Sequence, residues 1–105
     1  MSGFTQQAAE VKVVWTRKAS RHLRSAYEYW ARESSSSAAD ITLDRIFSGI
    51  ELPELYPEAG QRGRIPGTRE FVIAATPFLV AYRTRRGHIE ILSLLHGTRK
   101  WPEQF

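Results

Sequence analysis

The chain has 105 residues, of which 42% are hydrophobic and 25% are charged, and its formal net charge is +4. This length allows one folded core, and the composition excludes a globally disordered chain. The absence of cysteine excludes disulfides and thiolate metal sites, so we expect no metal and no cofactor. No apolar run approaches the roughly 20 residues that a spanning helix needs, and the amino end lacks signal-peptide features, which predicts a cytoplasmic protein without membrane contact. The excess of positive charge favours an anionic partner, either nucleic acid or an acidic protein segment.

The first part of the chain predicts a strand followed by a helix. Residues 1–10 show little periodicity and are expected to form a flexible leader, so a single domain is expected over residues 11–105. The run from Val11 to Thr16 is β-branched and aromatic, which predicts the first strand, and Thr16 suits the N-cap of the next element. From Arg17 to Arg32, apolar residues recur on one helical stripe: Ala19, Leu23, Ala26, Tyr27 and Trp30.

A second helix and a long loop follow. The sequence ESSSS at 33–37 ends the first helix and offers hydroxyls to cap the next one, which predicts a tight helical hairpin. The second helix is predicted to end near Leu52, before Pro53, and again has one apolar stripe: Ala39, Leu43, Ile46, Phe47 and Ile50. The frequent prolines and glycines from residue 53 to residue 67 predict a surface loop without a regular element.

The last part of the chain predicts three strands, at Arg69–Ala75, Phe78–Thr84 and His88–Leu95. Thr76 and Pro77 form the first connection, and the segment 85–87 forms a short hairpin loop. An antiparallel meander results, with the N-terminal strand as a further strand of the same sheet and both helices packed on one sheet face. The predicted class is therefore α+β. Cationic residues alternate with packing residues on these strands, which predicts charge beside the exposed side of the sheet.

After the strand and the helical hairpin, three characteristic segments follow in this order: GRIPGTREFVI, TPFLVAYR and ILSLLHGTRKWP. Together they resemble the RelE/ParE superfamily of bacterial toxins, and the resemblance runs from Val11 to Pro102. It implies the toxin of a type II toxin–antitoxin pair, used in plasmid stabilisation, which arrests growth and is neutralised by a cognate antitoxin in a hetero-oligomer. It also implies one of two activities, since one branch cuts mRNA on the ribosome and the other poisons DNA gyrase.

An mRNA endonuclease would need a base, an acid and cations near the scissile phosphate. If the chain is an endonuclease, the candidate catalytic residues are His96, Arg83 and Glu70. A further set of cationic residues could bind the target or a phosphate group by charge-assisted hydrogen bonds: Arg62, Arg64, Arg69, Arg99 and Lys100.

Two departures from the nuclease pattern favour the ParE-like branch. Nucleases of the superfamily typically have an arginine where this sequence has Phe78, and a tyrosine after the last arginine, where this chain ends at Phe105. Neither phenylalanine can donate a hydrogen bond. Gyrase inhibition is therefore the favoured activity, with ribosome-dependent mRNA cleavage as the alternative.

Several of these side chains also have a structural interpretation. His96 has either a functional role or a backbone hydrogen bond at the end of its strand, and Trp101 is expected to close the core. An ion pair between Arg69 and Glu70 is expected to fix the loop to the sheet. The hydroxyl of Tyr82 could reach the basic face.

Overall fold

Two helices and five strands build residues 12–97, the part of the chain that the computed structural model describes. In chain order these elements are β1 (Lys12–Trp15), α1 (Arg17–Glu33), α2 (Ser36–Leu55), β2 (Gln61–Arg62), β3 (Arg69–Val72), β4 (Phe78–Arg85) and β5 (His88–His96). The predictions for the leader, Val11, Arg99, Lys100 and Trp101 lie outside the described residues. Neither helix is long and apolar enough to cross a membrane.

The five strands form one sheet in the order β1-β5-β4-β3-β2. β1 lies parallel to β5, whereas β2, β3, β4 and β5 pair with their neighbours in antiparallel fashion. The predicted meander and the added N-terminal strand are confirmed. The parallel pairing of β1 with β5 is made possible by the long connection between them, which contains the helical hairpin.

Hydroxyl caps start both helices at the predicted places. The Thr16 hydroxyl accepts a hydrogen bond from the Ala19 N–H (3.2 Å) and donates to the Ile91 carbonyl (2.9 Å). It therefore caps α1 and ties the start of this helix to β5. The Ser35 hydroxyl accepts from the Ala38 N–H (3.0 Å) and caps α2.

The core lies between the helices and one face of the sheet. Its buried members come from both helices, from the turn after β3, and from β4 and β5: Ala19, Ile46, Ile50, Ile73, Phe78, Val80, Tyr82, Ile89, Ile91 and Leu94. The stripe predicted for α1 packs against this cluster through Leu23, Ala26 and Trp30. The predicted packing of the helices on one sheet face is thus confirmed.

The alternation of side chains assigns the strand residues to two faces. Tyr82 is buried in the core, so Arg83 points to the opposite face, and the register places Glu90 there as well. Val72 is also on this second face and is 68% exposed. We call it the open face of the sheet.

Two predictions about the segment from Leu52 to Gly67 are wrong. α2 does not end before Pro53 but runs to Leu55. Pro53 lacks the N–H that would bond the Gly49 carbonyl, but it is buried in the last helical turn, so packing offsets the lost hydrogen bond. The predicted irregular loop contains a strand, β2, because Gln61 and Arg62 pair with β3. Two residues are too few to show a period of two.

β3 is shorter than predicted and ends at Val72 instead of Ala75. A tight turn replaces its last residues, with hydrogen bonds from the Ile73 N–H to the Phe78 carbonyl (2.9 Å) and from the Thr76 hydroxyl to the Ile73 carbonyl (2.9 Å). Ala75 has a φ of 63° in this turn, which a strand residue does not adopt.

Candidate functional site

The hairpin from β2 to β3 brings together three of the arginines predicted to bind a target or phosphate. Arg62 lies directly opposite Arg69 in the antiparallel pair, and Arg64 lies in the connecting loop. These arginines line a surface depression of about 660 Å³ together with Gly63, Pro66, Gly67 and Thr68. We call this depression the arginine cleft.

Short hydrogen bonds fix the loop that forms the arginine cleft. The Gly63 N–H donates to the Thr68 carbonyl (2.7 Å), and both the N–H and the hydroxyl of Thr68 donate to the Ile65 carbonyl (3.2 and 2.6 Å). A Cβ atom at Gly63 would collide with Thr68, and Gly67 has a φ of 84°. The glycines of the sequence motif therefore serve the loop conformation.

A buried tyrosine holds the preceding segment in place. The Tyr82 hydroxyl donates to the Pro57 carbonyl (2.8 Å) and accepts from the Gly60 N–H (2.9 Å). Burial raises the pKa of Tyr82, so the hydroxyl keeps the proton that it donates. Tyr82 is the register partner of Arg69, and the two side chains bond the N–H and the carbonyl of Gly60, so the hydroxyl serves the loop beside this arginine.

Arg69 and Glu70 each bond the loop separately, so the expected ion pair between them is wrong. Successive strand residues point to opposite faces, which keeps the two side chains apart. One guanidinium nitrogen of Arg69 donates to the Gly60 carbonyl (2.8 Å), and the Glu70 carboxylate accepts from the Arg64 N–H (2.9 Å). The expectation that these two residues fix the loop to the sheet holds, through different bonds.

Arg83 is engaged in an ion pair on the open face. Its Nε lies 2.7 Å from the Glu90 carboxylate directly across the strand pair. The hydrogen bond from Arg83 is the main cause that holds the pKa of Glu90 below its usual range. Glu70 is on the same face, opposite Ala81 and therefore near Arg83.

His96 does not lie on the open face with Arg83 and Glu70. Its register partner is Phe78, a core residue, and the two rings meet edge to face with centroids 5.7 Å apart. His96 is therefore on the helix-covered face, at the opposite end of β4 from Arg83. Arg83 lies five positions after Phe78 along this extended strand, which corresponds to about 16 Å. The structure therefore does not bring His96 together with Arg83 and Glu70.

One polar cluster has no counterpart in the sequence analysis. The Ser93 hydroxyl lies 3.1 Å and the Leu94 N–H 3.3 Å from His22 Nδ1. Because an amide N–H can only donate, Nδ1 is the acceptor and the ring proton sits on Nε2. Burial, then the nearby Lys18 and Arg21, lower the pKa of His22. The sequence around His22 does not predict this cluster, because the hydrogen-bond partners of His22 lie more than 70 residues further along the chain.

Within residues 12–97, no group of three or more His, Asp or Glu side chains is placed to hold a metal ion. The chemical capacity of the arginine cleft is instead anion binding, since its lining contributes three guanidinium groups, with the Glu70 carboxylate bonded to the backbone N–H of Arg64.

This fold, an N-terminal strand, a helical hairpin and an antiparallel meander in one sheet, is the architecture that the resemblance to the RelE/ParE toxins implied. A family model described as "ParE toxin of type II toxin-antitoxin system, parDE" matches residues 13–101. The chain belongs to this ParE toxin family, which confirms the resemblance noted in the sequence.

A relative and a solved structure agree with this assignment. The chain is 34% identical over 92 residues to "Putative toxin Y4kP" of Sinorhizobium fredii (strain NBRC 101917 / NGR234), a match that covers 88% of this chain and 94% of the relative. It also matches a chain of the solved structure "Chromosomal ParDE TA system from P. aeruginosa" with a TM-score of 0.76 and 22% identity, covering 84% of this chain and 97% of that one. The structural match confirms the α+β fold.

Proposed function

We propose that this ParE-family toxin arrests growth by inhibiting DNA gyrase in the cytoplasm. The observation that carries the proposal is the position of the three candidate catalytic residues on two faces of the sheet. General acid–base catalysis needs its groups within hydrogen-bond reach of one substrate. A toxin that binds its target without hydrolysing it has no such requirement.

The pairing of Arg83 with Glu90 supports the same proposal. A phosphate group would have to displace a carboxylate that already lies 2.7 Å from the guanidinium nitrogen. In the alternative, a ribosome-dependent mRNA endonuclease, Arg83 would need to be available to the developing charge of the phosphate.

The partner that neutralises the toxin is proposed to be a cognate antitoxin, in a hetero-oligomer that contributes to plasmid stabilisation. Family membership supports this partner, since the family model is described as part of a toxin–antitoxin system. The net charge of +4 favours an acidic antitoxin segment, and such binding weakens as salt is added.

Expression from an inducible promoter tests the proposed target. On induction of the toxin we expect growth to stop with relaxation of a reporter plasmid and an early fall in DNA synthesis, while mRNA on ribosomes remains intact. The variant His96→Ala should stop growth as the wild type does, because a toxin that binds its target without hydrolysing it needs no acid or base. Rapid mRNA cleavage that His96→Ala abolishes, in a variant with wild-type circular dichroism, would establish the endonuclease instead.

A further inference from the structure

Charge in the β2–β3 hairpin is arranged unfavourably for a protein alone. Arg62 and Arg69 are directly opposite each other in an antiparallel pair, where like charges destabilise the pairing. The ion pairs Arg32–Glu33 and Arg83–Glu90 involve neither Arg62 nor Arg69. An anion bound between these arginines would turn the repulsion into attraction.

The backbone around these arginines is fixed before any ligand arrives. The loop between the strands is closed by the Gly63–Thr68 hydrogen bond, and the Arg64 N–H is held by the Glu70 carboxylate. Arg69 is oriented by its bond to the Gly60 carbonyl, which uses one of the five N–H groups of the guanidinium. A site whose donors are already in position loses less entropy when it binds.

From these observations we propose that the arginine cleft binds a phosphodiester group of the DNA backbone. The inference rests on the proposed function, in which the toxin acts on an enzyme that holds DNA. Guanidinium groups match phosphate oxygens in bidentate geometry, and three of them around one depression suit a phosphate, which offers more acceptor lone pairs than a single carboxylate. The volume of about 660 Å³ accommodates a phosphate with its adjoining sugar.

Salt-dependent binding of a short DNA duplex tests the cleft. The test variant is Arg62→Gln/Arg64→Gln, and the matched control is Arg21→Gln/Arg24→Gln on α1. All four arginines are exposed, and each double substitution lowers the formal charge of +4 by two. Fluorescence anisotropy over a series of salt concentrations gives the slope of log K against log salt concentration.

The cleft variant should lose about 0.9 from the magnitude of this slope, since the single phosphate contact of the cleft contributes about 0.9, and about tenfold in affinity at 0.1 M salt. The control should keep the wild-type slope. Equal losses in both variants, or no loss in either, would overturn the cleft as the site. Tighter binding of a single-stranded RNA of equal length, or competition by an acidic peptide at lower concentration than by DNA, would overturn DNA as the ligand.

A gyrase supercoiling assay with the same proteins separates this inference from the proposed function. If the wild type inhibits gyrase and the cleft variant binds DNA and inhibits as strongly, the cleft proposal fails and gyrase inhibition stands. If the wild type leaves gyrase active while the slope still falls in the cleft variant, gyrase inhibition fails and the phosphodiester site stands.

Discussion

The Tyr82 hydroxyl connects the core to the segment before the arginine cleft, and Tyr82→Phe removes only this hydroxyl. The Gly60 N–H then loses its acceptor at a buried position, and the Pro57 carbonyl loses its donor at a partly buried one. An unsatisfied buried donor costs about 1–3 kcal/mol, and a hydrogen bond whose acceptor can regain water costs about 1 kcal/mol. We therefore expect Tyr82→Phe to lower the free energy of unfolding by about 2–4 kcal/mol.

Urea denaturation followed by far-UV circular dichroism measures this loss. The matched control is Tyr29→Phe, at a residue of α1 that is 46% exposed and whose ring contact with Trp30 a phenylalanine can keep. This control should change the free energy of unfolding by less than about 0.5 kcal/mol. Amide exchange at Gly60 should accelerate in Tyr82→Phe and not in the control. A loss below about 0.5 kcal/mol with unchanged exchange at Gly60 would refute the role assigned to this hydroxyl.

Three further predictions concern other parts of the fold. The lowered pKa of His22 favours the neutral ring in the folded protein, so the contribution of His22 to stability should be complete above the unfolded pKa of about 6.5 and should fall as the pH decreases towards the folded pKa. Urea titrations at several pH values should show this fall in the wild type and a smaller fall in His22→Gln. Equal pH profiles of the two proteins would contradict this role of His22. Thr16→Ala should cost about 1–2 kcal/mol of unfolding free energy, because the cap of α1 and the bond to the Ile91 carbonyl are both lost, whereas Thr16→Ser should retain most of the stability; equal losses in the two variants would show that the hydroxyl is not responsible. Gly63→Ala should cost about 1–3 kcal/mol, because the new methyl group meets Thr68, and a variant as stable as the wild type in urea would show that the loop can move aside.

Local sequence signals are sufficient to predict both helices, the strands β1, β4 and β5, and the packing of the helices on the sheet. The stripe of α1 is periodic from Ala19 to Trp30, and Thr16 shows both a capping side chain and the end of a β-branched run. The strands β4 and β5 are bounded by turn residues, which made their ends readable within one residue. Such signals depend on neighbours a few positions apart, so they are visible in one chain.

The contacts that define the candidate site depend on positions far apart in the chain. β2 is defined by the pairing of Arg62 with Arg69 across a hairpin. No local pattern in this proline- and glycine-rich segment predicts two strand residues. The separation of His96 from Arg83 follows from the register between β4 and β5. Residue types suited to catalysis can be identified in the sequence, but they do not indicate this register. Pro53 predicts a helix end in the sequence, whereas the burial that offsets its missing N–H in the folded protein is a tertiary effect.

A supercoiling assay with purified gyrase tests whether this toxin inhibits the enzyme. Relaxed plasmid, gyrase and ATP are incubated with increasing amounts of the folded toxin, and the plasmid forms are separated on an agarose gel. We expect that supercoiled product declines, or that linear cleaved DNA accumulates, as toxin is added, while translation of an mRNA in a cell-free extract is unaffected. Full supercoiling in the presence of excess toxin, together with cleavage of ribosome-bound mRNA, would contradict it.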